Sequence, residues 1–380
     1  MKLFACQHCG QPLYFENTRC ESCGHRLGYL PSKETITALD EIDGGWRALA
    51  EPEGRYRFCA NAAHDVCNWL VDAGDTEQFC QACRYNRTIP DLTFPENLLN
   101  WRKVEIAKHR LFYTLLKLSL PLVGRSEDPE RGLGFDFLVA VGGPVMTGHD
   151  NGLITINLAE ADDALREKQR QNLAEPYRTL LGHFRHEIAH YYWDRLIRHS
   201  PQIEPFRAVF GDERQDYAAA LQANYNQGPP PDWQERFVTS YASSHPWEDF
   251  AETWAHYLHM IDTLETASAF GMRIRPRIST SDTTLATTVD FDPHHAGMDR
   301  IVDSWLPLTY AMNSINRSMG LPDLYPFILT PAVIMKLSFI HDRIREAGGR
   351  TVYGSEQNAL RAVAVGLRRS VPQAGSPAGD

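Results

Sequence analysis

The hydrophobic pattern predicts three long helices and two strands in the larger, C-terminal part of the chain. Apolar residues recur at helical spacing over 101–118, and the stretches 178–198 and 247–266 also predict helices. Strands are predicted at 135–141 and at 152–158, where Gly-Leu-Ile-Thr-Ile-Asn-Leu alternates between apolar and polar residues. These elements indicate an α+β fold that is mostly helical, with a small antiparallel sheet.

Composition narrows the possible partners and the compartment. The 380 residues carry a formal net charge of −10, and an acidic chain is poorly suited to phosphate backbones or anionic membranes, so nucleic acid is an unlikely partner. The first residues lead directly into a cysteine motif without the features of a signal peptide, and no apolar stretch is long enough to span a membrane. We therefore expect a cytoplasmic protein without membrane association.

The eight cysteines all lie near the N-terminus, in two groups of four. In a reducing compartment such groups favour metal sites over disulfides. The first group, Cys6, Cys9, Cys20 and Cys23, forms two CxxC pairs, each followed by a glycine that accepts the turn after the second sulfur. Four thiolates suit tetrahedral Zn²⁺, so residues 1–28 are predicted to form a zinc ribbon with one structural zinc ion.

The second cysteine group is less regular, because only its last two members form a CxxC pair. It consists of Cys59, Cys67, Cys80 and Cys83. We expect a second structural zinc in a unit spanning 58–97, after a mixed acidic connector at 29–57. His64 is a possible substitute ligand, and an exchange of ligands between the two groups is the main structural alternative.

The charge of the cysteine region bears on what it binds. Up to Glu96 it holds more acidic than basic residues, and each zinc with four thiolates adds a net charge of −2. A negative ribbon repels phosphate, so a protein partner or a purely structural role is favoured over nucleic acid.

His186, Glu187 and His190 form an HExxH motif in the predicted helix 178–198. Residues four apart share a helix face, so both imidazoles can bind one metal ion. Glu187 is then placed beside the water at the open metal position and can act as general base. Zn²⁺ is the expected catalytic metal. The competing interpretation is an exposed helix with two surface histidines.

A catalytic zinc needs a third protein ligand. The sequence after His190 lacks the downstream histidine of metzincins, so a glutamate from a second helix is the alternative. Pro246 is well placed at a helix start, and Glu248 and Glu252 share one face four residues apart. We expect Glu248 to bind zinc and Glu252 to hydrogen-bond a ligand imidazole. Asp249 is the competing ligand.

The segment Glu-Asp-Phe-Ala-Glu, 248–252, resembles the ligand helix of gluzincins, and within these the lethal-factor-like group. That resemblance implies that a tyrosine seven residues before the ligand glutamate stabilises the oxyanion, and Tyr241 holds this position. Tyr217 and Tyr225 are alternative candidates. Glu252 stands where aspartate is common in the thermolysin pattern, so this sequence departs from it by one methylene.

The ribbon, the HExxH motif and Ser-His-Pro-Trp-Glu-Asp-Phe-Ala-Glu together are similar to a bacterial family of zinc-ribbon, zinc-binding metallopeptidases. The resemblance implies a zincin-like domain, which we place at 98–366, followed by a disordered tail at 367–380. It also implies a zinc endopeptidase acting on proteins or peptides. The alternative is an adaptor whose ribbons bind protein partners and whose zincin site is inactive or latent.

Three other features have two interpretations each. Strand 152–158 is either an edge strand that pairs with extended substrate or an ordinary strand of the sheet. His183 is expected to form part of the wall or the surface rather than to bind metal. Asp194 either orients a ligand histidine or pairs with Arg198, and His245 is either an oxyanion donor or a polar loop residue.

Overall fold

The computed structural model describes residues 2–172, 177–277 and 285–349. The predicted tail 367–380 lies outside the described residues, as does the last part of the predicted domain 98–366. In the described part no helix is both long and apolar enough to cross a membrane.

The N-terminal region is built from short antiparallel strands. A hairpin of β1 and β2 comes first, followed by a five-stranded sheet in sequential order, β3 to β7. The strands are β1 (Phe4–Ala5), β2 (Pro12–Leu13), β3 (Arg26–Leu30), β4 (Thr35–Ile42), β5 (Gly45–Ala48), β6 (Glu51–Phe58) and β7 (Leu70–Asp72).

The stretch 29–57, expected to be a connector, instead supplies most of this sheet. Two of its acidic residues form ion pairs: Asp40 lies 2.9 Å from Arg47, and Glu51 lies 3.1 Å from Lys33. Successive residues of β3 and β4 are buried on both faces of the sheet, which is why this stretch is a packed sheet and not a connector.

A second sheet is mixed and joins one strand from the end of the cysteine region to three strands of the helical region. Its strands are β8 (Asn86–Thr88), β9 (Gly134–Leu138), β10 (Gly148–Asp150) and β11 (Leu153–Asn157). The spatial order is β10-β11-β9-β8, with only the β10–β11 pair antiparallel. A further two-stranded sheet joins β12 (Arg273–Ile274) and β13 (Thr287–Thr288).

The mixed sheet corrects two expectations. The sheet is not antiparallel throughout, because β9 is parallel to both of its neighbours. The predicted strand 152–158 is not at the edge, because the chain turns back at Asn151 and Gly152, both with positive φ, and adds β10 outside β11. Such left-handed positions favour glycine and asparagine in a tight hairpin.

The helices confirm the α+β fold class. They are α1 (Pro95–Lys117), α2 (Asp163–Asn172), α3 (Leu180–Leu196), α4 (Ile203–Phe210), α5 (Tyr217–Gln227), α6 (Trp233–Arg236), α7 (Pro246–Ala269), α8 (Met298–Ser318) and α9 (Pro331–Ala347). The predicted helices 101–118, 178–198 and 247–266 correspond to α1, α3 and α7.

The two helices that carry the motifs pack against each other through buried aromatic rings. Tyr192 of α3 stacks on Trp254 of α7 with 5.1 Å between ring centroids, and both are fully buried. Truncating a core tryptophan to alanine typically costs about 3–5 kcal/mol. Both helix starts are capped: Thr179 Oγ1 accepts from Gly182 N at 3.0 Å, and His245 Nδ1 accepts from Trp247 N at 3.1 Å.

Candidate metal and catalytic site

Three donors from α3 and α7 converge on one point. His186 Nε2 lies 3.0 Å from Glu248 Oε2, and His190 Nε2 lies 3.8 Å from Glu248 Oε1. One ligand atom from each residue lies within 4.8 Å of the other two. Two imidazole nitrogens and one carboxylate oxygen form a donor set that zinc prefers, and it leaves a fourth position for water or substrate. The residues present therefore fit a catalytic zinc ion.

The two carboxyl groups beside this point differ in their environments. Glu187 is 8% exposed, and burial raises its pKa to about 7, with His186 lowering it and Glu248 raising it. Burial also raises the pKa of Glu248, but the neighbouring His190 and His186 outweigh it and lower that pKa to about 2. Glu248 is thus held as an anion, while Glu187 can exchange a proton near neutral pH.

Glu252 reaches the outer nitrogen of one donor histidine. Its Oε1 atom lies 2.7 Å from His186 Nδ1, and its Oε2 atom accepts from Thr239 Oγ1 at 2.7 Å. Glu252 is one methylene longer than the aspartate that is common at this position, and it still contacts His186. A carboxylate at Nδ1 fixes the ring orientation and makes Nε2 the atom that faces the metal position.

Two tyrosines border the donors. Tyr217 donates to Glu248 Oε1 at 2.7 Å, whereas the ring of Tyr241 lies 6.0 Å from the ring of His186, centroid to centroid. Burial, reinforced by Glu248, raises the pKa of both hydroxyls, so both are proton donors at neutral pH. Tyr225 is 65% exposed and belongs to the surface.

Asp249, the competing metal ligand, is engaged elsewhere. Its Oδ2 atom lies 2.7 Å from Lys336 Nζ, and both residues are buried. Burial raises the pKa of Asp249 to about 7, although Lys336 lowers it. This pair joins α7 to α9 and takes Asp249 out of the donor set.

The remaining candidates have structural partners. His183 pairs with the buried Glu160. Asp194 lies 3.0 Å from Arg198, which is the second of its two predicted roles. His245 is buried, caps α7 and lies 5.3 Å from the ring of Tyr217, centroid to centroid.

His149 on the edge strand β10 is a site residue that sequence reasoning missed. Its ring lies 5.8 Å from that of His190, and its Nε2 atom accepts from Gly152 N at 2.9 Å. Burial lowers its pKa to about 4, so the ring is neutral at pH 7. No spacing rule connects residue 149 to the HExxH motif; only the β10–β11 hairpin brings them together.

A cleft of roughly 460 Å³ adjoins the donors on the side of His190. Trp247 forms part of its wall and packs against the His190 ring with 3.7 Å between centroids and a tilt of 34°. Its lining combines aromatic and charged side chains, including His149, Trp193, Asp194, Arg198, Tyr217 and Trp247. Apolar walls with a few polar groups are typical of ligand-binding clefts.

The first cysteine site is compact. Cys6 Sγ lies 3.7 Å from Cys23 Sγ, and Cys9 Sγ lies 3.6 Å from Cys20 Sγ. A zinc tetrahedron with bonds of about 2.3 Å has edges of about 3.8 Å, so the four sulfurs fit one zinc ion.

The second cysteine site also brings its own four sulfurs together, Cys59, Cys67, Cys80 and Cys83. Each group thus stays intact, and the structure shows no exchange between the groups. His64, the possible substitute, is exposed. The histidine that does approach is His109 of α1, whose Nε2 atom lies 3.3 Å from Cys67 Sγ.

Comparison with known proteins places both parts of the chain. Residues 97–343 match the family described as "Putative zinc-binding metallo-peptidase", and residues 3–94 match a zinc-ribbon domain. Uncharacterised proteins of Mycobacterium bovis and of two strains of Mycobacterium tuberculosis are 43% identical over 348 residues, which is 91% of this chain and 96% of each relative. No solved structure matches the chain significantly.

Proposed function

This chain belongs to the zinc-binding metallopeptidase family, and we propose that it is a gluzincin-type endopeptidase with His186, His190 and Glu248 as zinc ligands. The observation that carries this proposal is the convergence of these three donors from α3 and α7 within 4.8 Å of one another. Burial of a carboxylate is costly unless it has partners, and here the partners of Glu248 are the two histidines. Two incidental histidines on a surface helix would not account for this arrangement.

The residues around the donors have distinct roles in the proposed reaction. Bound zinc would lower the pKa of a coordinated water and polarise the scissile carbonyl. Glu187 accepts the proton of the attacking water and later delivers it to the leaving amine, for which a pKa of about 7 is suited. Tyr241 donates a hydrogen bond to the oxyanion, and Tyr217 holds Glu248.

Substrate is proposed to bind along the edge strand β10. The outer edge of β10 carries no strand partner in the described sheet, so an extended peptide can add to it. His149 lies on this strand and lines the cleft, and its buried Nδ1 atom has no hydrogen-bond partner among the described residues. His149 thereby places an imidazole in the wall of the cleft beside this edge.

The direct test compares the wild-type chain with Glu187→Gln on a mixture of unfolded protein substrates, with new N-termini identified by mass spectrometry. Glu187→Gln is expected to keep its zinc and to lose hydrolysis. Glu235→Gln, on the exposed surface of α6, is the matched control and should cleave as the wild type does. Equal cleavage by Glu187→Gln would refute the mechanism.

A protein-binding adaptor is the competing function. It would capture a partner equally well with Glu187→Gln and would show no hydrolysis in the wild type. The same variant therefore separates the two functions.

A further inference from the structure

The second cysteine site lies against the first helix of the peptidase domain. The Nε2 atom of His109 is 3.3 Å from Cys67 Sγ, 3.5 Å from Cys83 Sγ and 4.0 Å from Cys80 Sγ. Its Nδ1 atom donates to the carbonyl oxygen of Glu105 at 2.6 Å. Both ring nitrogens are therefore engaged, and the imidazole covers the face formed by three of the four sulfurs.

The surroundings of His109 are buried and polar. Lys108 and Glu105 are completely buried and lie 2.9 Å apart, Nζ to Oε2. Glu105 Oε1 also accepts from Trp101 Nε1 at 3.1 Å and from Asn86 Nδ2 at 2.6 Å. A buried polar network with its partners in place fixes side-chain positions more firmly than apolar packing alone.

One turn further along α1, two side chains bind the helix that carries Glu248. Tyr113 donates to Glu265 Oε1 at 2.6 Å, and Thr114 Oγ1 donates to Asp262 Oδ1 at 2.8 Å. Asp262 in turn pairs with Arg185 of α3, the residue before His186. Polar contacts thus run from the sulfurs through α1 to both helices that supply the metal donors.

We infer that His109 is a positioning residue, through which zinc at the second cysteine site holds α1 and thereby holds α3 and α7 at the separation that the peptidase-site metal requires. The imidazole lies directly over the sulfurs that would bind zinc, and outer partners of metal ligands commonly contribute about 10- to 100-fold to metal affinity. The part of this inference that concerns the peptidase-site metal rests on the proposed function. The part that concerns zinc at the second cysteine site does not.

The test uses full-length variants challenged with a chelator, with zinc per chain followed over time. His109→Leu keeps the buried volume beside Trp69 but removes both ring nitrogens, His109→Gln retains a polar group, and His64→Leu alters an exposed histidine of the same unit. Each variant is also combined with Glu248→Ala. The difference in zinc content between the two proteins is then the zinc held at the peptidase site.

His109→Leu is expected to weaken zinc binding at the second cysteine site about 10- to 100-fold and to release peptidase-site zinc faster than the wild type. His109→Gln should recover part of both losses, and His64→Leu should match the wild type. Unchanged retention at either site in His109→Leu would overturn the inference. A wild-type chain from which Glu248→Ala removes no zinc would instead overturn the proposed function.

Hydrogen exchange provides a second measurement that does not depend on folding of the variants. In the wild-type chain, removal of the cysteine-bound zinc while the peptidase-site zinc stays bound should raise amide exchange in α7 around Asp262 and in α3 around Arg185. Unchanged exchange there, with increased exchange only near the cysteines, would overturn the coupling.

Discussion

Glu252 Oε1 lies 2.7 Å from His186 Nδ1, so a carboxylate from the opposite helix fixes the outer nitrogen of one proposed metal donor. Glu248 and Glu252, one turn apart on α7, thereby hold the two nitrogens of the same ring. The arrangement explains why the two glutamates share one face of α7.

Glu252→Ala is expected to weaken peptidase-site zinc binding about 10- to 100-fold, because His186 loses the partner that fixes its orientation. Competition with a zinc chelator of known affinity measures the change. Glu204→Ala removes an exposed glutamate of α4 and serves as control. Equal affinity in Glu252→Ala and the control would show that this contact does not support the metal.

The two tyrosines should differ in what they contribute. Tyr241→Phe is expected to lower kcat by about 10²–10³-fold with little change in zinc content, since it removes an oxyanion donor. Tyr217→Phe removes a hydrogen bond to Glu248 and should mainly weaken metal binding. Steady-state kinetics with zinc analysis on both variants, and on the exposed Tyr225→Phe, separates these effects. The reverse pattern would assign the oxyanion role to Tyr217.

Glu187 should make the stability of chelator-treated protein depend on pH. Burial raises its pKa to about 7, above the ordinary 4.5, so the folded state retains the proton longer than the unfolded state. Its contribution to the free energy of unfolding therefore falls as pH rises from about 4.5 to about 7, and then levels off.

Glu187→Gln removes this dependence. The variant should match the wild type near pH 4.5 and be more stable by about 3 kcal/mol above pH 7, because each pKa unit corresponds to about 1.4 kcal/mol. Urea unfolding across this pH range measures the difference. A difference that stays constant with pH would show that Glu187 titrates normally.

The buried pair of Asp249 and Lys336 should be important for stability rather than for chemistry. Lys336→Met leaves Asp249 buried without its cation and is expected to lower the free energy of unfolding by about 3–5 kcal/mol. Arg317→Met breaks the exposed pair with Asp323 and should cost less than about 1 kcal/mol. Similar losses in the two variants would contradict this account of Lys336.

Most of the candidate site residues could be predicted from the spacing of residues close together in the sequence. The CxxC pairs and HExxH fix donor positions within one turn or one loop, and Pro246 with Glu248 and Glu252 shows a helix start and a shared face. These features depend on local geometry, which a single sequence encodes directly.

Residues that tertiary packing brings to the sites could not be predicted from local spacing. His109 is 26 residues from Cys83 and reaches the sulfurs only because α1 packs on the ribbon. His149 reaches the site through a three-residue strand, too short to show alternation. The stretch 29–57 looked like a linker because of its charged composition, and the partners of Asp40 and Glu51 are apparent only once the sheet forms.

The most direct test of the central claim is elemental analysis of zinc in purified wild-type chain and in Glu248→Ala. Two cysteine sites and one peptidase site predict three zinc ions per chain, with one fewer in the variant. The same zinc content in both proteins would contradict the assignment of His186, His190 and Glu248 as a metal site.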